Sequence, residues 1–382
     1  MEGLLNFCPL LDYVADTAEP GAFRLVDIGC SGGIDRQWRR WRRGLRAIGI
    51  DPDLAEIERL RTREKHSGIS YLNAFAGLPA EHPFAILKAG REDLGRNPWT
   101  RLSTARYMEL VYPQKEHVSD KEKRSANLWG EARLADKSVV VPEYLQDLGI
   151  RSLDFVKIDV DGKDFEILHT FDRALRDMEV LGVGVEVRYW GSPEDTDGAF
   201  HNVDRFLKER GFELFNLTIR RYSASALPSR FAQRAPGATV RGRVHQGDAM
   251  YARDLGSGLY DDFAKSLSAE KTLNLAVIFA IFDLPDCAAE IVEKFRSELG
   301  KRWNVDRMLD LLEAQSERRL FAPKGAYRRH VEKFEQHPRE FLGTKNPCAG
   351  FVPGLREGYL KWRGRMQLLR LEREGEDESV LS

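Results

Sequence analysis

The sequence predicts an α/β protein: a mostly parallel sheet whose last strand pair is antiparallel, followed by an α-helical C-terminal appendage. Three observations carry that prediction. From Phe23 to about Leu255, short apolar or β-branched runs alternate with segments of helical period, the pattern of a parallel sheet with crossover helices. The runs Phe212–Ile219 and Ala249–Arg253 follow one another with no helical pattern between them, which predicts an antiparallel end. Beyond residue 257 the strand signal stops and helical periods take over.

The candidate strands are Phe23–Ile28, Ala47–Ile50, Ser70–Ala74, Val139–Val141, Leu153–Ile158, Val180–Val187, Phe212–Ile219 and Ala249–Arg253. One intervening helix begins near Asp53 and buries Leu54, Ile57 and Leu60. A second carries Phe165, Leu168, Phe171, Leu175 and Met178, and a third carries Phe200, Val203, Phe206 and Leu207 and stops at Gly211. The stretch Arg220 to Gly247 reads as a long loop. Three helices follow, over Thr272–Phe282, Cys287–Leu299 and Val305–Leu320, the last opened by Asn304 as N-cap. This divides the chain into a lead-in over 1–22, a ligand-binding α/β domain over 23–256 and a helical region over 257–382, whose end, Leu371–Ser382, is polar and frayed.

Composition bounds the function classes. The chain has 382 residues, 42% of them hydrophobic, with Lys plus Arg at 59 against Asp plus Glu at 60, so no global basic field drives binding to nucleic acid. The longest apolar run, Leu275 to Phe282, is far short of the ~20 residues a membrane span needs. The opening residues lack the basic and apolar regions of a secretory signal. Cys8, Cys30, Cys287 and Cys348 are scattered without paired spacing, which predicts free thiols and a cytoplasmic location.

The most informative stretch is LVDIGCSGGID, where a strand turns into glycines just before a helical segment, placing Asp27, Gly29, Ser31 and Gly33 at alternate positions. Glycine lets such a turn adopt positive φ and lets a ligand approach the backbone closely. A second acid, Asp51, ends the next strand eighteen positions after Gly33, near the spacing of a carboxylate that holds a ribose diol. A dinucleotide fingerprint fails, because the third and sixth positions from Gly29 are Ser31 and Ile34. The acid-first form Asp-x-Gly-x-Ser-x-Gly instead resembles the S-adenosylmethionine-binding pattern of Rossmann-like methyltransferases, in which the central position is usually Gly where this chain has Ser31. The run SLDFVKIDVDGKDFEIL then gathers Lys157, Asp159, Asp161, Gly162 and Asp164 at the carboxyl edge of the sheet, with Glu186 at the tip of the next strand. Asp161 and Asp164 also fit the plainer role of acids at a helix N-terminus.

The set VDIGCSGGI, GIDPD, YLNAFAG, VVVPEYLQDLGI, SLDFVKIDVDGKDFEIL and VGVEVRYW resembles the FkbM-type methyltransferases over roughly Phe23 to Arg253. The resemblance implies a seven-stranded, Rossmann-like class I methyltransferase sheet and S-adenosylmethionine-dependent O-methylation of a sugar, glycan precursor or related small molecule. It implies that Asp27 and Gly29 lie near the methionine part of the cofactor, Asp51 on the ribose, and Asn73 with Ala74 near the adenine. The family usually has Glu where this chain has Asp161 and Asp164, so each carboxylate here is one methylene shorter. The long interval over about 77–137 reads as a substrate-side lid.

Methyl transfer to a hydroxyl needs alignment and a base. Asp159 is the first candidate, with Asp161 and Glu186 as alternatives and Lys157 as electrostatic neighbour. The set Asp159, Asp161 and Glu186 is also a candidate divalent-metal site, the less favoured reading. His201 reads as surface polar and His169 as structural, while His245 and Asp248 approach the rim from the last strand pair. Two rival readings remain open. Arg36, Arg39, Arg40, Arg42, Arg43 and Arg46 with Trp38 and Trp41 suggest an RNA 2′-O-methyltransferase, although the tryptophans should pack inward. The third reading is a non-catalytic interaction module acting through the helical region, which is also the expected place for any homo-oligomer contact.

Overall fold

A computed structural model of the chain describes residues 7–88, 134–160, 162–192, 194–222, 243–320 and 325–341. Its strands in chain order are β1 (Phe23–Ile28), β2 (Leu45–Asp51), β3 (Ile69–Asn73), β4 (Phe75–Ala76), β5 (Ser138–Val139), β6 (Phe155–Ile158), β7 (Gly182–Arg188), β8 (Glu213–Leu217), β9 (Arg220–Tyr222) and β10 (Arg243–Ala252). The main sheet runs β3-β2-β1-β6-β7-β10-β8, with β9 paired to β10 off that path, while β4 and β5 form a separate two-stranded parallel sheet. The strands from β3 to β7 are parallel and β10 is antiparallel to both β7 and β8. This is a Rossmann-like sheet with an antiparallel end.

The two faces of the sheet are buried by different parts of the chain. One face carries Val26, Ile28, Val156, Ile158, Val183 and Val185, packed under the crossover helices through Leu145, Leu168 and Phe206. The other carries Phe23, Leu25, Phe155 and Met250, and its cover comes from helices before and after the sheet in sequence: Leu10 and Leu11 from the Pro9–Thr17 helix and Leu275 to Ile281 from the Ala269–Ile281 helix. The reason is local. The β1–β2 connection contains only a four-residue helix, Arg36–Arg39, and a 3-10 turn, too little to shield that face. It contributes Trp38 and Trp41, both fully buried, with Trp41 stacked 4.6 Å from Phe23 and Trp38 4.8 Å from Phe155. Gly182 and Gly184 on β7 follow from the same packing, since a Cβ at Gly182 would stand 2.8 Å from the Phe155 ring.

The Ala269–Ile281 helix is apolar almost all round and correspondingly buried from Lys271 to Ile281. Its polar exceptions are spent on the sheet. Lys271 Nζ donates to the Leu153 carbonyl at 2.6 Å and to Asp154 Oδ1 at 3.1 Å, and Asn274 Nδ2 donates to Asp154 Oδ1 at 2.9 Å and to the Ala22 carbonyl at 2.8 Å. Asp154, fully buried, uses its other oxygen to accept from the Arg24 amide at 2.7 Å. A buried charge is tolerable only when so fully partnered.

Several element boundaries differ from the sequence reading. Val139–Val141 is not a core strand: Ser138–Val139 pairs with Phe75–Ala76, and Val141 opens a helix at the favourable Pro142. The stripe from Phe165 to Met178 spans two helices, Asp164–Thr170 and Ala174–Asp177, joined by a tight turn that keeps the same residues inward. The stretch read as a loop from Arg220 to Gly247 contains β9 and the first half of β10. Most of the segment read as a lid, residues 89–133, and the polar C-terminus lie outside the described residues.

Candidate active site

Strand register builds the site. Pairings Ile28↔Ile50, Ile28↔Ile158 and Ile158↔Val185 are followed, one residue further toward the carboxyl edge, by Asp51, Gly29, Asp159 and Glu186. Asp51 pairs with Asn73 and Glu186 with Asp248. One row across the edge therefore reads Asn73, Asp51, Gly29, Asp159, Glu186, Asp248, and two residues below it Asp27 pairs with Lys157 on the same face. The edge outside the carboxyl ends of parallel strands is where open α/β sheets bind ligands.

The glycine turn is held from β2 and the helix after it. Gly29 N–H donates to the Ile50 carbonyl at 2.8 Å, Ser31 N–H to the Asp51 carboxylate, and Gly32 N–H to Glu56 Oε1 at 2.8 Å. Gly29, at φ +83, must be glycine for an internal reason: a Cβ there would lie 1.8 Å from the Asp159 carbonyl oxygen. Gly33, at φ +89, faces Leu60 and the Tyr71 hydroxyl. Asp51 also accepts from the Asp53 amide at 2.9 Å. Its carboxyl is raised above the ordinary range, chiefly by burial. Asn73 Nδ2 donates to the Asp51 and Pro52 carbonyls at 3.2 and 2.9 Å, and Ala74 is fully buried.

Below the row, Lys157 Nζ lies 3.1 Å from Asp27 Oδ1 and 3.4 Å from Asp159 Oδ2. Asp27 is 3% exposed, and burial pushes its carboxyl up to about 6 despite the lysine. Burial opposes the Lys157 charge, but Asp27 and Asp159 outweigh it and hold the ammonium above its ordinary value. The Asp159 side chain is 41% exposed, so of the two carboxylates on Lys157 it is the one open to an incoming molecule. Asp164 is a tether instead: its two oxygens accept from the Val160 amide at 2.9 Å and the Gly162 amide at 3.0 Å, and burial raises it to about 6. Asp161 lies outside the described residues.

At the far end of the row one arginine bridges two acids. Glu186 Oε1 accepts from Arg220 Nη1 and from Gln246 Nε2, both at 3.0 Å, and Arg220 also reaches Asp248 at 3.2 Å. Sequence reasoning missed Arg220 and Gln246 because both fell in the supposed loop. His245 is buried beside Gln246, its Nδ1 3.2 Å from Oε1. His169 is stacked 3.8 Å from Phe84, and burial lowers it to about 4. His201 is exposed on its helix. Among the described residues no three His, Cys, Asp or Glu side chains are grouped to hold a metal ion. Asp159 and Glu186 instead have Lys157 and Arg220 as partners.

Residues 99–214 match the family model of the methyltransferase FkbM domain. Over that stretch the chain is similar to the FkbM methyltransferases. The match takes in β5 to β7, and so Lys157, Asp159 and Glu186, while the glycine turn and Asp51 stand before it. No curated protein sequence matches the chain significantly. Among solved structures, the chain is similar to a TehB-like SAM-dependent methyltransferase from Corynebacterium glutamicum, at 11% identity, 64% of this chain, 87% of that one and a TM-score of 0.25. It is similar to the N-terminal domain of EvdMO1 with SAH bound at 12% identity, 64% and 80% coverage and a TM-score of 0.29. A third is the 23S rRNA methyltransferase ErmE, at 10% identity, 83% and 90% coverage and a TM-score of 0.27. Those scores are low, and the fold assignment rests on the strand order itself.

Proposed function

We propose that the protein is an S-adenosylmethionine-dependent O-methyltransferase acting on a hydroxyl of a sugar, glycan precursor or related small molecule. One observation carries the cofactor half of this reading. The turn amides of Ser31 and Gly32 are already taken by the Asp51 and Glu56 carboxylates, so the site offers a ligand acids rather than free N–H groups. A pyrophosphate needs the opposite arrangement, whereas an amino-acid ammonium and a ribose diol need acids. In this reading Asp27 and Gly29 lie by the methionine part, Asp51 holds the ribose, Ser31 and Gly33 shape the turn, and Asn73 and Ala74 border the adenine.

When bound, the cofactor supplies an activated methyl group on a positively charged sulfur. The chain's own part would be to align the acceptor hydroxyl with that methyl group and to take the hydroxyl proton on a carboxylate. Asp159 is that base: it stands at the edge, partly open, with Lys157 Nζ 3.4 Å from its Oδ2. Glu186 is a poorer base because Arg220 and Gln246 already use its oxygen.

A nucleic-acid acceptor finds little support. In the basic stretch Arg39 pairs with Glu64, Arg40 with Asp12 and Arg42 with Asp16, and both tryptophans are buried. Among the described residues no helix is long and apolar enough to cross a membrane. The reading has the enzyme working on cytoplasmic precursors, in keeping with the thiols of Cys8, Cys30 and Cys287. Calorimetric titration with S-adenosylhomocysteine tests the cofactor half: saturable binding is expected, and no heat and no melting shift would remove it. Incubation with the methyl donor and a panel of sugars and nucleotide sugars tests the acceptor, read by mass spectrometry as the gain of one methylene.

A further inference from the structure

We infer that Glu56 is a positioning residue for the cofactor, holding the glycine turn in its binding shape from the neighbouring helix; this rests on the cofactor reading above. The Leu54–Arg63 helix opens with Asp53-x-x-Glu56, the spacing of a capping box, in which the second acid should turn back onto the N–H of the first. Half of that box forms: Asp53 Oδ1 accepts from the Ala55 and Glu56 amides at 2.9 and 3.2 Å. The other half does not. The Asp53 amide goes to Asp51 Oδ1, and the Glu56 carboxylate reaches across 24 positions of sequence to accept from Gly32 N–H at 2.8 Å. Arg59, one turn later, fixes that carboxylate by contacts of 2.6 and 2.5 Å.

The diverted contact falls where the chain has least shape of its own. Gly29, Gly32 and Gly33 all stand at positive φ, and around Gly32 a Cβ would meet nothing within 4 Å. Neither side-chain bulk nor local packing fixes that residue, so its amide hydrogen bond does. Asp51 lies in the same chain of contacts, accepting from Ser31 and Asp53 while Asp53 caps the helix that carries Glu56. Glu56 thereby sets the distance between the turn and the acid assigned to the ribose. It touches no reacting atom, so its loss should raise KM for the methyl donor and leave kcat unchanged.

The test compares the full-length wild type with Glu56→Ala, Glu56→Gln and, as a control on the same helix, the exposed Glu58→Ala. Three readouts are taken: S-adenosylhomocysteine affinity by calorimetry, hydrogen exchange of the peptide covering the turn without ligand, and melting without ligand. Loss of a charge-assisted hydrogen bond predicts about ten-fold weaker binding for Glu56→Ala. Faster exchange of the turn should accompany it, with Glu58→Ala matching the wild type in both. Glu56→Gln keeps an acceptor oxygen but loses Arg59, and should fall between; it carries the test if the alanine variant does not fold. Unchanged affinity in both Glu56 variants overturns the inference, as does equal weakening in Glu58→Ala. Failure of the wild type itself to bind removes the cofactor reading, and this inference with it.

Discussion

The two ends of the carboxyl-edge row have similar residue types and opposite chemistry. At the β1–β2 end, Asp27 and Asp51 are buried acids with a single lysine between Asp27 and Asp159, and burial raises both carboxyls. At the β7–β10 end, Glu186 is less sheltered, its side chain 14% exposed, and Arg220 and Gln246 meet it directly. Burial of an acid without a full set of cationic partners costs stability that a bound cation can return; a fully paired acid has nothing to gain. Under the proposed function, ligand binding and chemistry fall to the first end and mainly architecture to the second.

The largest effect that could break this division is at Asp159. Asp159→Asn should lower turnover about 10²- to 10⁴-fold, the usual worth of a general base, while S-adenosylhomocysteine affinity by calorimetry stays within about three-fold of wild type. Near-normal turnover in that variant would move the base elsewhere. Next comes Asp51→Ala, expected to weaken S-adenosylhomocysteine binding by about 10- to 100-fold through loss of charged hydrogen bonds.

The pH dependence at Asp27 sharpens the same contrast. Its carboxyl lies near 6 in the folded protein and near ~3.9 when unfolded. The folded state therefore holds the proton more tightly, and the stability this group contributes at low pH is lost as pH rises through about 6. Ligand binding has the opposite sign, because an ammonium is drawn to the ionised form. Between pH 5 and 7.5, S-adenosylhomocysteine affinity should rise by up to about ten-fold as Asp27 ionises, while melting of the ligand-free protein gains nothing from it. In Asp27→Asn the affinity profile should flatten; a profile that persists would assign the titration to another group. Asp164, raised to about 6 in the same way, keeps its own share of the stability change in that variant.

Much of this was legible in the sequence, and the gaps have physical causes. β1 runs from Phe23 to Ile28 as read, because its apolar positions and the glycine after it mark both ends. β10 starts well before Ala249 because its first residues, Arg243 to Asp248, are largely polar and take their order from pairing with β7 and β9 rather than from hydrophobicity. The break near Phe171 is invisible to periodicity, since two short helices joined by a turn bury the same residues as one. That Lys157 and Asp159 share a face could be read from strand period alone, whereas the place of Asp27 beside Lys157 comes from the β1–β6 register. Glu56 could not, because its spacing spells a helix cap and only the fold shows the carboxylate turned toward Gly32.

The smallest expected effect tests the other end of the row. Glu186→Gln keeps the size and one acceptor oxygen of the side chain and removes only the charge facing Arg220, a pair that is 14% and 34% exposed. Partly solvated pairs of this kind are worth about 1 kcal/mol or less, so melting should fall by no more than about 4 °C for a chain of this size. Turnover should change less than about three-fold, because Arg220 retains Asp248 and the Asp159–Lys157 pair is untouched. The decisive comparison is with Asp159→Asn in the same assay. If both substitutions stop turnover while both proteins still bind S-adenosylhomocysteine, Glu186 shares the chemistry, and the contact with Arg220 is a resting arrangement that the acceptor displaces.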